Sequence, residues 1–193
     1  MTAPSVVVRP ARPDEAAELA WLAALTFPLA CPPGTSTATM ARHIAEHLTP
    51  ERFRAWSRDP GCALLVADGS ESEEPAGYVL LLRGEPDGDA ERDVLRSTVG
   101  PGPYVELSKI YVHPARQGDG TANALMSAAV RTADELAPDR PFWLGTNGDN
   151  GRAQAFYRKH GFTVVGSRTY DVGGVQHDDV VMLHTPGAQA ARS

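Results

Sequence analysis

In the run YVELSKIYVHP, Tyr104 to Pro114, a glutamate stands inside an otherwise strand-forming stretch. Side chains alternate along a strand, so Glu106, Ser108 and Ile110 share one face while Leu107, Lys109 and Tyr111 share the other. A carboxylate on a central strand is paired, sits at a strand end, or is placed to move a proton. The run stops at a proline. It is followed by ARQGDGTANALM, in which Gly118 and Gly120 lie at the mouth of an alanine-rich helix. The first turn of a helix has N–H groups without intrahelical acceptors, and its end favours negative charge. Glycine lets a ligand come close to such groups, so phosphate or pyrophosphate is the natural guest. A glycine-rich turn with no ligand is the plain alternative. Further on, NGRAQAFYRKHGF sets Asn150, Ala153 and Tyr157 on one helical face. Seven positions (157 − 150 = 7) are about two turns. His113, before a proline, reads as a turn residue.

These residues need a scaffold. SVVVRPA reads as a first strand closed by prolines, and a helix opening at Asp14 and Glu15 is expected to stop at Pro28. Helices are expected over Ser36 to His47 and in TPERFRAWSRDPG, where Thr49 caps and Pro50 takes the first position. CALLVAD and AGYVLLLRG read as a hairpin around an acidic linker. Gly84 to Pro103 is rich in turn formers, with a short helix at Arg92 to Thr98. FWLGTN is a strand, the Asn150 helix ends at Gly161, and two strands flank Gly173-Gly174. After Gly120, apolar residues at 122, 125, 126, 129, 130, 133 and 136 form one helical stripe. The order predicts a single α/β domain with a mixed sheet covered by helices.

Composition narrows the function. A chain of 193 residues suits one domain over 1–184, with 185–193 a disordered tail. Twenty-four acidic against 18 basic side chains give a net charge of −6, which argues against a nucleic-acid partner. The two cysteines, Cys31 and Cys62, have neither metal nor redox spacing. No signal-peptide pattern or membrane-length apolar run is read, so a cytoplasmic protein without membrane association is expected.

QGDGTA matches the Q/R-x-x-G-x-G/A pattern of the GCN5-related N-acetyltransferases (GNAT), between the expected strand and helix. NGRAQAFYRKHGF resembles the family's N-x-x-A-x-x-x-Y-x-K-x-G-F segment at every fixed position. The resemblance covers Tyr104 to Leu183 well and the N-terminal part loosely. It implies a single-domain α/β GNAT-like fold, with a mixed, mostly antiparallel sheet of about six to seven strands flanked by helices. It also implies acetyl-CoA as co-substrate and no metal. The N–H groups of Gln117, Gly118, Asp119, Gly120, Thr121 and Ala122 would then hold the pyrophosphate. The strand at Ile110, Tyr111 and Val112 would pair with the pantetheine arm. Asn150 would lie near that arm, with Ala153 leaving it room, and Tyr157 near the sulfur. Asp119 departs from the pattern, since relatives often carry a basic or neutral residue there. It either weakens the site, with Arg116 as an offset, or points to solvent.

An amine acceptor must lose a proton before it attacks a thioester, and the leaving thiolate gains from an acid. Glu106 is the candidate base, direct or through water, and Tyr157 the candidate acid. A backbone N–H near Tyr111 or Val112 is the candidate oxyanion donor. The acceptor is a small-molecule amine, a peptide N-terminus or a lysine. In relatives its side is shaped by segments that correspond here to Phe27–Thr39 and Tyr170–His177, and Trp143 either lines that cleft or packs in the core. A homodimer through the final strands is left open. Two rival readings stand beside this one. The fold can bind acyl-CoA without catalysis, as a sensing domain. HIAEH matches the H-x-x-E-H pattern of inverted zincins, so His43, Glu46 and His47 would serve a zinc metallopeptidase.

Overall fold

Alternating apolar runs and helical stripes resolve, in a computed structural model, into seven strands and six α-helices among the described residues, which are 6–69, 74–172 and 175–185. The strands form one mixed sheet in the order β1-β2-β3-β4-β5-β7-β6, flanked by helices. The chain groups into two compact units, Met1–Leu81 with Lys109–Thr132 and Leu82–Ser108 with Ala133–Ser193.

The first unit begins with β1 (Val8–Pro10), paired antiparallel with β2 (Cys62–Asp68). Helix α1 (Ala16–Ala30) runs past Pro28, where the sequence predicted a stop. A proline there loses one bond and crowds one carbonyl. The helix has only two residues left, so the damage stays within its final turn. Helix α2 (Thr37–His47) is capped by Ser36, and α3 (Pro50–Trp56) by Thr49. Strand β3 (Pro75–Gly84) is followed, in this unit, by the second half of β4 (Tyr104–Val112) and the start of α5 (Thr121–Leu136). Phe53 of α3 packs on Tyr78 with ring centroids 5.3 Å apart. A Cβ on the neighbouring Gly77 would lie 2.8 Å from Leu125 of α5 and 2.7 Å from the Tyr111 carbonyl. Adjacent strand residues face opposite ways, so α3 and α5 cover opposite faces. Gly77 is the small residue that lets α5 and β4 come close.

The second unit holds α4 (Asp89–Val99), the first half of β4, β5 (Phe142–Asn147), α6 (Gly151–Lys159), β6 (Phe162–Val172) and β7 (Val175–His184). Helix α4 starts three residues before the expected Arg92, because Gly88 is extended and places Asp89 and Glu91 in the first turn. Strand β5 pairs antiparallel with β7, and β7 with β6. Residues opposite one another share a face, which sorts the side chains. On one face Leu95 of α4 meets Tyr104, Trp143, Val181 and Leu183. On the other, Phe142, Phe162 and His184 form an aromatic cluster. Val94 of α4 fills the notch left by Gly166, where a Cβ would come within 2.7 Å of both Val94 methyls. Beside it Arg168 binds Glu91 at 2.9 Å and Asp179 at 3.3 Å, with all three side chains no more than 14% exposed. Removing one partner from such a buried set strands a charge and costs about 3–5 kcal/mol.

Among the described residues no helix is long and apolar enough to cross a membrane. The expected tail lies almost wholly outside the described residues, as does the Gly173-Gly174 turn.

Candidate active site

In the first unit the glycine turn has a defined geometry. Gly118 and Gly120 have φ of +89° and +97°, while Asp119 between them does not enter the positive region. Alternating φ signs point successive N–H groups toward one side, a concavity suited to an anion. Nothing lies within 4 Å of a Cβ built on either glycine. The glycines are therefore required by the backbone conformation and not by crowding.

Asp119 is built into the turn. Its Oδ1 accepts from the Thr121 N–H at 2.9 Å and from the Thr121 hydroxyl at 2.7 Å, and its Oδ2 lies 3.1 Å from Arg116 Nε. The Thr121 hydroxyl, together with its N–H and Arg116, holds this carboxyl below the usual range. Thr121 is fully buried with both polar groups satisfied. Asp119 thus caps the first turn of α5, and Arg116 opposes its charge. Ala124 donates to Gly120, so the ladder of α5 starts there, and helix geometry leaves the Ala122 N–H without an intrahelical acceptor. Gln117 is exposed, and Ile110, Tyr111 and Val112 are half-buried, with the Tyr111 ring 5.7 Å from that of Tyr78. His113 accepts from the Ala115 N–H at 3.2 Å, a turn residue as expected.

In the second unit, β4 and β5 run parallel but pair only at Val105–Phe142 and Glu106–Trp143. Both continue, β5 as far as Asn147. The ladder therefore ends at Glu106 and an opening begins beside Leu107 and Ser108. Glu106 is half-buried. As the cross-strand partner of Trp143 it lies on the face covered by α4. Trp143 is 1% exposed and belongs to the core there.

Helix α6 holds Tyr157. Asn150 caps it by accepting from the Ala153 N–H at 3.0 Å, and Gly161 leaves it with φ +89°. Gln154, missed in the sequence reading, anchors the helix: its amide donates to the Gly148 carbonyl at 2.7 Å and to the Asn147 carbonyl at 3.3 Å. A polar residue at an unconstrained motif position gave no signal for this. Tyr157 packs edge-on to Phe162 at 6.1 Å, on the Phe142 face. Its ring reaches the surface in part, yet burial around the hydroxyl pushes its pKa up to about 12. Glu106 and Tyr157 therefore occupy opposite faces of this part of the sheet.

His43 and His47 are neighbours, with ring centroids 4.8 Å apart. His43 stacks on Phe27 at 4.3 Å, and burial, then His47 and Lys109, lower its pKa. Among the described residues no three His, Cys, Asp or Glu side chains gather as metal ligands do. Of the segments expected to shape the acceptor side, the side chains at 170–177 lie outside the described residues.

The fold is that of N-acetyltransferases. The PaiA N-acetyltransferase of Thermoplasma acidophilum, solved in complex with coenzyme A, matches with a TM-score of 0.69 at 16% identity, over 94% of this chain and 99% of that one. A spermidine N-acetyltransferase SpeG chimera from Vibrio cholerae and hSSAT matches with a TM-score of 0.66 at 16% identity, over 97% and 99%. At the sequence level, residues 26–162 match the model of the acetyltransferase (GNAT) family. An uncharacterised N-acetyltransferase of Mycobacterium tuberculosis is 40% identical over 171 residues, 88% of this chain and 96% of that protein. The chain belongs to the GNAT acetyltransferase family.

Proposed function

We propose that this acetyltransferase passes the acetyl group of acetyl-CoA directly to a primary amine, on a small molecule, a peptide N-terminus or a lysine. Glu106 is the general base and Tyr157 the donor to the leaving sulfur. The observation that carries this is the early end of the β4–β5 ladder at Glu106, with Tyr157 packed on the opposite face of this part of the sheet. Such an opening gives a nitrogen and a sulfur separate sides from which to meet their partners.

The residues present fit acetyl-CoA. The turn offers the N–H groups of Gly118, Asp119, Gly120 and Ala122 to a pyrophosphate, whereas that of Thr121, expected from the sequence to join them, is already given to Asp119, and the Arg116 pair offsets the Asp119 carboxylate beside it. The outer half of β4 offers backbone groups in strand geometry to the pantetheine amides. When bound, acetyl-CoA supplies the thioester carbonyl. Glu106, direct or through water, takes the proton that an ammonium of pKa about 10 must lose. A backbone N–H at Tyr111 or Val112 donates to the oxygen on which charge grows.

Tyr157 keeps its proton at neutral pH. A hydroxyl with a pKa of about 12 is a poor full acid toward a thiolate whose conjugate pKa is about 8.5. Transfer across about 3.5 units costs about 5 kcal/mol. Tyr157 therefore acts by donating a strong hydrogen bond to the developing thiolate, which takes its proton from solvent after the carbon–sulfur bond has broken. The raised pKa has a kinetic sign. The donor persists as pH rises through 10 and is lost only toward 12, so kcat should show no alkaline fall below about pH 10 from this residue.

Coenzyme A and acetyl-CoA should raise the melting temperature, since they bind only the folded turn. Gly120→Ala should destabilise the free protein by about 1–2 kcal/mol, because an L-residue is strained at φ +97°. It should also blunt the ligand-induced rise. A full rise in this variant would place the phosphate site elsewhere. Thioester consumption against a panel of amines separates the enzyme from an acyl-CoA-sensing domain. His43→Ala with His47→Ala tests the metallopeptidase reading. Transfer should stay within about twofold, with the loss of the Phe27 stack costing about 0.5–1.5 kcal/mol of stability. A stoichiometric zinc that leaves together with activity would overturn the acetyltransferase reading.

A further inference from the structure

Arg168 with Glu91 and Asp179 is a built charge cluster to which the reaction above assigns no role. Arg168 donates to Glu91 Oε1 at 2.9 Å and to Asp179 Oδ2 at 3.3 Å. Its guanidinium carbon lies 5.9 Å from the Trp143 ring centroid, and the guanidinium fills the space that a Cβ on Gly145 would need. Both contacts are with β5, on the face of Glu106. Trp143 is the direct partner of Glu106, and Gly145 is the next β5 position on that face, just beyond the last β4–β5 pair. The guanidinium therefore stands over the start of the opening, on the Glu106 side.

We propose that Arg168 is a positioning residue for the base: pinned on Gly145 by Glu91 and Asp179, it holds a fixed positive charge beside Glu106 and keeps that carboxylate ionised. This rests on the reading of Glu106 as base for its kinetic consequence alone. Helix α4 contributes Glu91, β6 Arg168 and β7 Asp179 on the same face, and Lys109 alternates to the opposite face. Arg83 and Glu85 past the buried part of β3 are exposed, with Arg96 of α4 3.8 Å from Glu85. The charged residues of α5 nearest in sequence, Arg131, Asp134 and Glu135, are also exposed. A guanidinium standing on the same face in a partly desolvated setting lowers a neighbouring carboxyl pKa by about one unit.

The test titrates Glu106 itself, in the full chain carrying carbon-13 at glutamate Cδ, with the Glu106 resonance identified by its loss in Glu106→Gln. Arg168→Met should raise the Glu106 midpoint by about one pH unit, and Arg168→Lys, which keeps the charge, should restore most of the shift. If Arg168→Met does not fold, Gly145→Ala serves instead. It displaces the guanidinium and should raise the midpoint in the same direction. An unchanged or lowered midpoint in a folded Arg168→Met or Gly145→Ala protein would overturn the proposal. The acid limb of kcat/KM, measured with an amine found in the acceptor screen, should move up with the midpoint. If Glu106→Gln keeps full activity while the midpoint still moves in Arg168→Met, the base assignment fails and the electrostatic coupling stands.

Discussion

Glu106→Gln should lower kcat/KM by about 10²- to 10⁴-fold at low pH, the usual worth of a positioned base and about 3–5 kcal/mol of barrier. Glutamine keeps the size and one hydrogen-bonding pattern of the carboxylate but cannot take a proton. The loss should shrink as pH rises. An acceptor amine with a pKa of about 10 is mostly ammonium at pH 7, and the neutral fraction grows about tenfold per pH unit. The variant should therefore approach the wild type toward pH 10, where the substrate arrives already deprotonated. Steady-state rates across pH 6–10 with one good acceptor check this. Wild-type rates at every pH would make Glu106 structural, and a water chain from Ser108 or a backbone carbonyl would become the better base.

Tyr157→Phe should lower kcat by about 10²-fold, the worth of one strong donor to developing charge, roughly 2.7 kcal/mol. Acetyl-CoA affinity should hardly change, because only the hydroxyl is removed from a ring already packed against Phe156 and Phe162. The pH signature should differ from that of Glu106→Gln. The hydroxyl keeps its proton up to about 12, so the loss should be nearly constant from pH 6 to 10. Acceptors do not compensate for it, since it acts on the leaving sulfur. Rates with acetyl-CoA at saturating acceptor test the point. A rate equal to wild type would mean that the thiolate leaves without help from this residue.

Much of the fold and the glycine turn was legible in the sequence. Strand alternation and helical stripes depend on local backbone geometry, so the spans of β2, β5 and α2 agree closely with the residue patterns, while α3 starts at Pro50 as expected and ends at Trp56, short of the stretch read for it. The glycine turn was legible for the same reason, since positive φ at Gly118 and Gly120 is a local demand that few other residues meet. Local rules also explain the misses. Proline was read as a stop at Pro28, but its cost is small two residues from a helix end. The start of α4 was missed because the signal there is a run of turn formers, not a stripe.

Pairing register is a different kind of information. Which residues face each other across β4, β5, β7 and β6 depends on contacts between segments far apart in sequence. Only that register shows the ladder ending at Glu106, and only it puts Glu106 and Tyr157 on opposite faces. The same holds for Asp119. As a residue type it read as a departure that either weakens the site, with Arg116 as an offset, or points to solvent, and the fold turns it into a cap whose charge Arg116 opposes. Arg168 carried no sequence signal at all. Its partner Glu91 is 77 positions away, and the glycine it rests on is 23 away (168 − 145 = 23). The sequence by itself determined the family, most of the elements and the glycine turn, because short-range sterics and helix-end electrostatics act within a few residues. The tertiary structure alone decided where the central strands part and which charges stand beside the opening, because long-range pairing brings those groups together.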